Sequence, residues 1–141
     1  MNMQVRRAVI EDGSAIFECA KRLATSFVVQ EHAFASVFAE LLASPQACIL
    51  VAEVDAQIIG YVLGFDHYTF YANGRVAWVE EIFVAEEFRR HRIGDRLMQG
   101  IEAWARQREA KLVALATRRA AHFYKALGYE DSAVYFRKLL S

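Results

Sequence analysis

The 141 residues contain one proline, two cysteines and no surplus of either charge, and each shortage excludes something. Cys19 and Cys48 lie outside any C-x-x-C pair. They supply neither a disulfide framework nor a four-cysteine zinc site, and two small buried residues is the plain expectation. Seventeen basic residues balance seventeen acidic ones. A general binder of nucleic acid or of membrane surfaces usually carries a basic excess, so neither partner is expected. No window approaches the roughly 18 apolar residues of a membrane span, and the N-terminus has no apolar run of signal-peptide length, so a cytoplasmic location is expected. His32, His67, His91 and His122 form no H-x-H or H-x-x-x-H pair, and a metal site is not expected from that spacing.

What is present is a chain 55% hydrophobic and 13% aromatic, near the size of one domain and long enough to bury a core. It carries no repeat and no low-complexity linker, so residues 1–141 are read as a single domain. Residues 4–10 read as a strand. Ile16, Ala20 and Leu23 then recur at helical spacing, with Asp12 or Ser14 able to cap the start. Residues 31–44 give a second helix with Phe34, Val37, Phe38, Leu41 and Leu42 on one stripe, and Pro45 helps stop it.

Segments 47–55, 56–70 and 75–85 are rich in β-branched and aromatic residues. The breaks "VDAQ" and "YANG" carry turn chemistry, and Asn73-Gly74 is a hairpin signal, so a three-stranded antiparallel meander is predicted. Residues 93–110 read as a helix burying Ile93, Leu97, Ile101, Trp104 and Ala105. Residues 111–117 read as a strand covered on both faces, 120–128 as a helix closed by Gly128, and 132–140 as a last strand. The order βααβββαβαβ is an α/β arrangement, and the stretch 75–117 should be a right-handed crossover between parallel strands.

One stretch stands out against the neutral total. "EEFRRHRIGDRL", residues 86–97, sets four arginines around Gly94 where the third helix begins. The first turn of a helix presents unpaired N–H groups and the positive end of the helix dipole, and an anion binds there. Gly94 without a side chain would let a bulky anion approach, and the arginines can add charge-assisted contacts. The loop is neither a Walker A motif nor a G-x-G-x-x-G fingerprint.

Three signals in order carry a resemblance to the GNAT N-acetyltransferase superfamily. Val79-Glu80-Glu81-Ile82-Phe83-Val84 is similar to that family's cofactor strand. Arg89-Arg90-His91-Arg92-Ile93-Gly94 is similar to its Gln/Arg-x-x-Gly-x-Gly/Ala loop, with Arg92 at the first glycine. Ala120, Phe123, Tyr124, Gly128 and Tyr129 match its Ala-x-x-Phe-Tyr-x-x-x-Gly-Phe/Tyr pattern, and Thr117 stands where an asparagine is often found. The element order agrees from first strand to last.

The resemblance implies a mixed, mainly antiparallel twisted sheet flanked by helices, with a parallel pair splayed to admit the pantetheine of acetyl-CoA. It implies an acetyl-CoA-dependent N-acetyltransferase. Backbone groups of Ile82, Phe83 and Val84 would meet the pantetheine. The loop Arg89, Arg90, His91, Arg92, Ile93, Gly94 and Asp95 would grip the pyrophosphate, with Thr117, Phe123 and Tyr124 also on the cofactor side. Glu80 and Glu81 are adjacent on a strand and point to opposite faces unless a bulge re-aims them, and the resemblance implies such a bulge on this strand. Glu81 is the first candidate for the base or water-orienting carboxylate, with Glu80 the second. Tyr124 is the candidate acid for the leaving thiolate, with Phe123 packed in the core.

By the same resemblance the acceptor side falls near residues 24–34, and Tyr61, His67, Tyr68, Phe70 and Tyr71 of the meander add aromatic groups suited to a small amine. Size, the "EHAF" segment and the "VYFRK" ending resemble the family's small-molecule enzymes. A homodimer is consistent with the family. A peptide or protein acceptor, another acyl group, and a non-catalytic acyl-CoA sensor stay open.

Overall fold

β-Branched and aromatic residues dominate the middle third of the chain, and in the computed structural model, which describes residues 1–141, they build the sheet. Five strands lie in sequence order: β1 (Met3–Arg7), β2 (Ala47–Val54), β3 (Gln57–Thr69), β4 (Gly74–Val84) and β5 (Val113–Leu115). The first four pair antiparallel, and β5 pairs parallel to β4. Between β1 and β2 come α1 (Gly13–Leu23) and α2 (Glu31–Ala43). Then α3 (Ile93–Gln107) links β4 to β5, and α4 (Ala121–Ala126) follows β5.

Alternation along the strands decides which face each helix covers. Ile49, Leu63 and Glu81 form one cross-strand row, and Ile49 and Leu63 share their surroundings with α1 and α2. Leu50, one residue on, points the other way and meets α3 at Gly100. The middle of β2 is therefore apolar on both faces, and Cys48, Val51 and Ala52 are fully buried. Cys19 is also buried, so both cysteines behave as the small core residues expected of them. Desolvation raises both thiols, Cys48 to about 11, so neither is a reactive thiolate at neutral pH.

The α3 stripe is buried as its spacing predicts, through Ile93, Leu97, Ile101, Trp104 and Ala105, with Met98 added. The α2 stripe differs. Only Phe38 is buried, and Val37 is 55% exposed. Phe34, Leu41 and Leu42 are half-buried against the core, so the stripe is only partly covered.

The turns carry their own lessons. Asp55 and Ala56 both take positive φ, 48° and 68°, between paired Val54 and Gln57; this is the two-residue turn whose twist suits a hairpin. The second hairpin is longer than the Asn73-Gly74 signal implies. Thr69 pairs with Gly74, so four residues make the loop, and only Asn73 at φ 59° holds the left-handed position. Thr69 Oγ1 closes it, accepting from Ala72 N–H and donating to the Gly74 carbonyl.

Two sequence expectations are corrected near the C-terminus. β5 is three residues long and half-buried, not a strand covered on both faces across 111–117. The last strand, 132–140, does not form: residues 130–141 have no ladder and are exposed. Strand composition needs an edge to pair with, and a three-residue strand offers little of one.

Candidate functional site

β4 changes character halfway along. Up to Val79 it is paired on both sides, to β3 and, through Ala77, Trp78 and Val79, to β5. Beyond Val79 the parallel pairing ends while β4 runs on to Val84 against β3 alone. The two parallel strands thus part, leaving the β5-facing backbone of Ile82, Phe83 and Val84 outside any ladder. Arg89 takes up part of it: its Nε donates to the Val84 carbonyl at 3.1 Å.

The break coincides with a bulge. Leu63 pairs with Glu81 and Gly64 with Val79, so Glu80 is the extra residue. Strict alternation would send Glu80 and Glu81 to opposite faces, but a bulge re-aims side chains. Both carboxylates line one cavity of about 620 Å³. Glu80 is exposed and Glu81 half-buried. Glu81 is also held: buried Tyr61 donates its hydroxyl to Glu81 Oε1 at 2.7 Å. Burial, and then the charge and hydrogen bond of Glu81, raise the Tyr61 phenol far above its ordinary range, so it remains a donor. The role of Tyr61 as a brace for Glu81 is not visible in sequence, because it depends on cross-strand proximity.

The rest of the cavity is apolar. Ile16, Phe34, Phe38, Leu41 and Leu63 form much of its wall, and the loop 24–30 closes one side. This loop lies within residues 24–34, where the resemblance puts the acceptor side. Of the meander aromatics, only Tyr61 reaches the cavity. His67, Tyr68, Phe70 and Tyr71 lie at the opposite end of the β3–β4 hairpin, where Tyr68 stacks on the Arg75 guanidinium at 4.4 Å; their expected place beside the acceptor is corrected.

The arginine loop enters α3 with Arg90 and Arg92 in the left-handed region, φ 70° and 61°. Arg92 is the helix N-cap, and no side chain caps the helix. The first N–H groups of α3, at Ile93, Gly94 and Asp95, are thus left for something else. Arg92 itself pairs with Asp95, Nη2 to Oδ2 3.0 Å. Arg90 and His91 are exposed. Gly94 has a tighter reason for being glycine than anion access: a Cβ there would lie 3.2 Å from the Phe123 ring.

That ring belongs to α4, which sets Tyr124. Gly128, φ 96°, ends the helix, with Gly128 N–H bonded to the Lys125 carbonyl and Tyr129 N–H to the Tyr124 carbonyl. This is the Schellman arrangement, with its usual contact across the turn. Tyr129 stacks edge-on against Tyr124 at 5.9 Å, while its hydroxyl donates to Glu102 of α3 at 2.6 Å. Phe123 meets Tyr124 at 4.9 Å. Tyr124 is buried, yet its hydroxyl makes no hydrogen bond within the chain, and desolvation raises its pKa. It lies outside the cavity of Glu80 and Glu81. Thr117 Oγ1 is engaged locally, accepting from Ala120 N–H at 3.0 Å.

The parallel strands thus part beside an uncapped helix, next to a largely apolar cavity that Glu80 and Glu81 line. Comparison with known proteins gives this arrangement its family. The Acetyltransferase (GNAT) family model matches residues 15–129. Aminoalkylphosphonate N-acetyltransferase of Salmonella typhimurium is 30% identical over 142 residues, covering 97% of this chain and 91% of that protein.

Among solved structures, glucosamine-6-phosphate N-acetyltransferase from Arabidopsis thaliana superposes with a TM-score of 0.89 at 18% identity, over 100% of both chains. An aminoglycoside N-acetyltransferase in complex with CoA gives 0.85 at 20% identity, over 97% of this chain and 95% of that one. The chain belongs to the acetyltransferase (GNAT) family, and is by that membership an acetyl-CoA-dependent acyltransferase.

Proposed function

We propose that the chain moves an acetyl group from acetyl-CoA to the primary amine of a small molecule, by direct attack within a ternary complex. One observation carries the reading: the parting of β4 from β5 and the bulge that turns Glu80 and Glu81 into the apolar cavity occur at the same residues, 79–81. A thioester reaching along the open β4 edge would therefore arrive beside both carboxylates. The amine specificity of the Salmonella relative, as its name gives it, supports an amine acceptor.

In this reading the N–H groups of Arg90 to Asp95 hold the pyrophosphate, the Arg89 N–H being bonded to the Glu86 carbonyl, and Arg90 and His91 add side chains to it. Backbone groups of Ile82, Phe83 and Val84 align the pantetheine, and one of their N–H groups steadies the oxyanion. An alkylamine, pKa about 10.4, arrives protonated. Its proton passes to Glu81, directly or through a water that Glu80 can share. The freed nitrogen attacks the thioester carbon, its second proton passes to water as the intermediate collapses, the C–S bond breaks, and the Tyr124 phenol gives its proton to the departing thiolate. N-acetylamine and CoA leave. Water returns the proton from Glu81 to solvent and reprotonates Tyr124.

Arg90→Glu places negative charge beside the pyrophosphate, and acetyl-CoA affinity by calorimetry should fall about tenfold or more; unchanged affinity would remove the anion from this loop. Tyr124→Phe should lower kcat more than it lowers acetyl-CoA affinity, and equal losses would make Tyr124 a binding residue. The acid must be protonated, and burial raises its pKa above the phenol's usual value near 10. The contribution of this acid is therefore full below that value and is lost as pH rises through it. That alkaline limb should be absent in Tyr124→Phe.

A further inference from the structure

We propose that the acceptor is a primary amine on an apolar, ring-sized body whose far end carries an anionic group, and that Arg137 selects it. The inference rests on the transfer reading above and names its substrate class. Three features of the cavity lead to it.

The first is its wall. Phe34, Val37, Phe38 and Leu41 of α2 line it with Ile16 of α1, and of these α2 residues only Phe38 is fully buried, so the core covers the stripe only in part. An apolar face left open in this way binds apolar matter, and about 620 Å³ is ordinary for a small-molecule pocket. A wholly polar amine would leave that wall against water.

The second is the placement of acid. Glu80 and Glu81 are the cavity's only carboxylates, both from the β4 bulge. The cationic end of an acceptor is drawn to that point, where the thioester is also expected.

The third is Arg137, the cavity's only basic side chain. It comes from the terminal segment 130–141, which has no ladder to hold it. It is nonetheless tethered over the cavity, Nη1 donating to Ser26 Oγ at 3.1 Å. It is in no ion pair with any carboxylate of the chain. A guanidinium has five N–H donors in a planar fork, so after the bond to Ser26 most of the fork is free for a carboxylate or phosphoryl oxygen. The same charge repels a second ammonium, which disfavours polyamines and other polycations.

The test uses three amines against acetyl-CoA: 4-(2-aminoethyl)benzoate, phenethylamine and spermidine. The intact enzyme should show kcat/KM for the benzoate about tenfold above phenethylamine, the scale of one charge-assisted contact, with spermidine lowest. In Arg137→Gln the ratio of the two aromatic amines should collapse towards one, through KM, while Arg137→Lys should keep part of it. A preference for spermidine, or a benzoate preference that survives in Arg137→Gln, overturns the inference while leaving acetyl transfer in place. If no amine is acetylated although acetyl-CoA binds, the transfer reading falls. The pocket is then judged by calorimetry of the benzoate and phenethylamine with CoA present. Tighter benzoate binding that Arg137→Gln abolishes supports the pocket, and equal or absent binding overturns it.

Discussion

Two helices lay an apolar stripe against opposite faces of the same sheet, and only one stripe is sealed. On α3, Leu97, Met98 and Ile101 are wholly buried, and the sheet answers them with Leu50 and Gly64. On α2, Phe38 alone is fully buried, while half-buried Phe34 and Leu41 and exposed Val37 line a cavity that Glu80 and Glu81 also line. The two stripes obey the same periodicity. What differs is the matter opposite: on one side strand residues fill the space, on the other they stop short of it. Amphipathicity tells which face shuns water, and does not tell whether protein or ligand will cover it.

The sharpest way to break this contrast is one substitution at each end of it. Ile101→Ala removes a fully buried side chain from the sealed face and should cost roughly 2–5 kcal/mol in urea unfolding. Glu81→Gln on the open side should leave the unfolding midpoint nearly unchanged, since a glutamine oxygen still accepts from Tyr61. It should lower kcat about 10²–10⁴-fold. If Glu81→Gln unfolded the protein and Ile101→Ala did not, the assignment of one face to stability and the other to chemistry would be reversed. A gentler probe is Val37→Ala. Because Val37 is 55% exposed, stability should move by less than about 0.5 kcal/mol, while KM for an apolar amine should rise severalfold. A stability loss matching that of Ile101→Ala would mean the α2 stripe is core after all.

The same contrast explains what could be read in the sequence. Elements whose partners are local or symmetrical were legible: the α3 stripe, the meander, and the Gly128 cap with its Tyr129–Tyr124 contact. The family motifs also pointed to β4 as the strand where the cleft opens. Several features depend on what lies across space, and those were not legible. The family resemblance implies a bulge on this strand and the pairing has one, which cancels the alternation that separates Glu80 from Glu81, yet nothing in "VEEIFV" marks where it falls. Tyr61 braces Glu81 from a neighbouring strand twenty positions earlier. "SAVYFRKLL" has the composition of a strand, but β5 gives it only a short edge, and it stays unpaired while Arg137 reaches Ser26. Asn73-Gly74 marked the hairpin and not its length, because Thr69 closes a four-residue loop instead.

The smallest effect expected lies where the sealed helix begins. Arg92 holds φ 61° at the N-cap of α3, beside buried Ile93, where a side chain costs about 1 kcal/mol or more that glycine avoids. Its exposed pairing with Asp95 returns only a few tenths to about 1 kcal/mol. Arg92→Gly should thus raise stability by about 0.5 kcal/mol, read as a small upward shift in the urea midpoint. The informative companion is acetyl-CoA affinity. If backbone N–H groups hold the pyrophosphate, relaxing the loop leaves affinity within about threefold, since what is lost is one exposed charge in screening solvent. If the Arg92 guanidinium itself is the anchor, affinity falls tenfold or more. Gains in stability with affinity retained would place the grip in the main chain, leaving the α3 N-terminus to hold the anion while the face one residue further on holds the core.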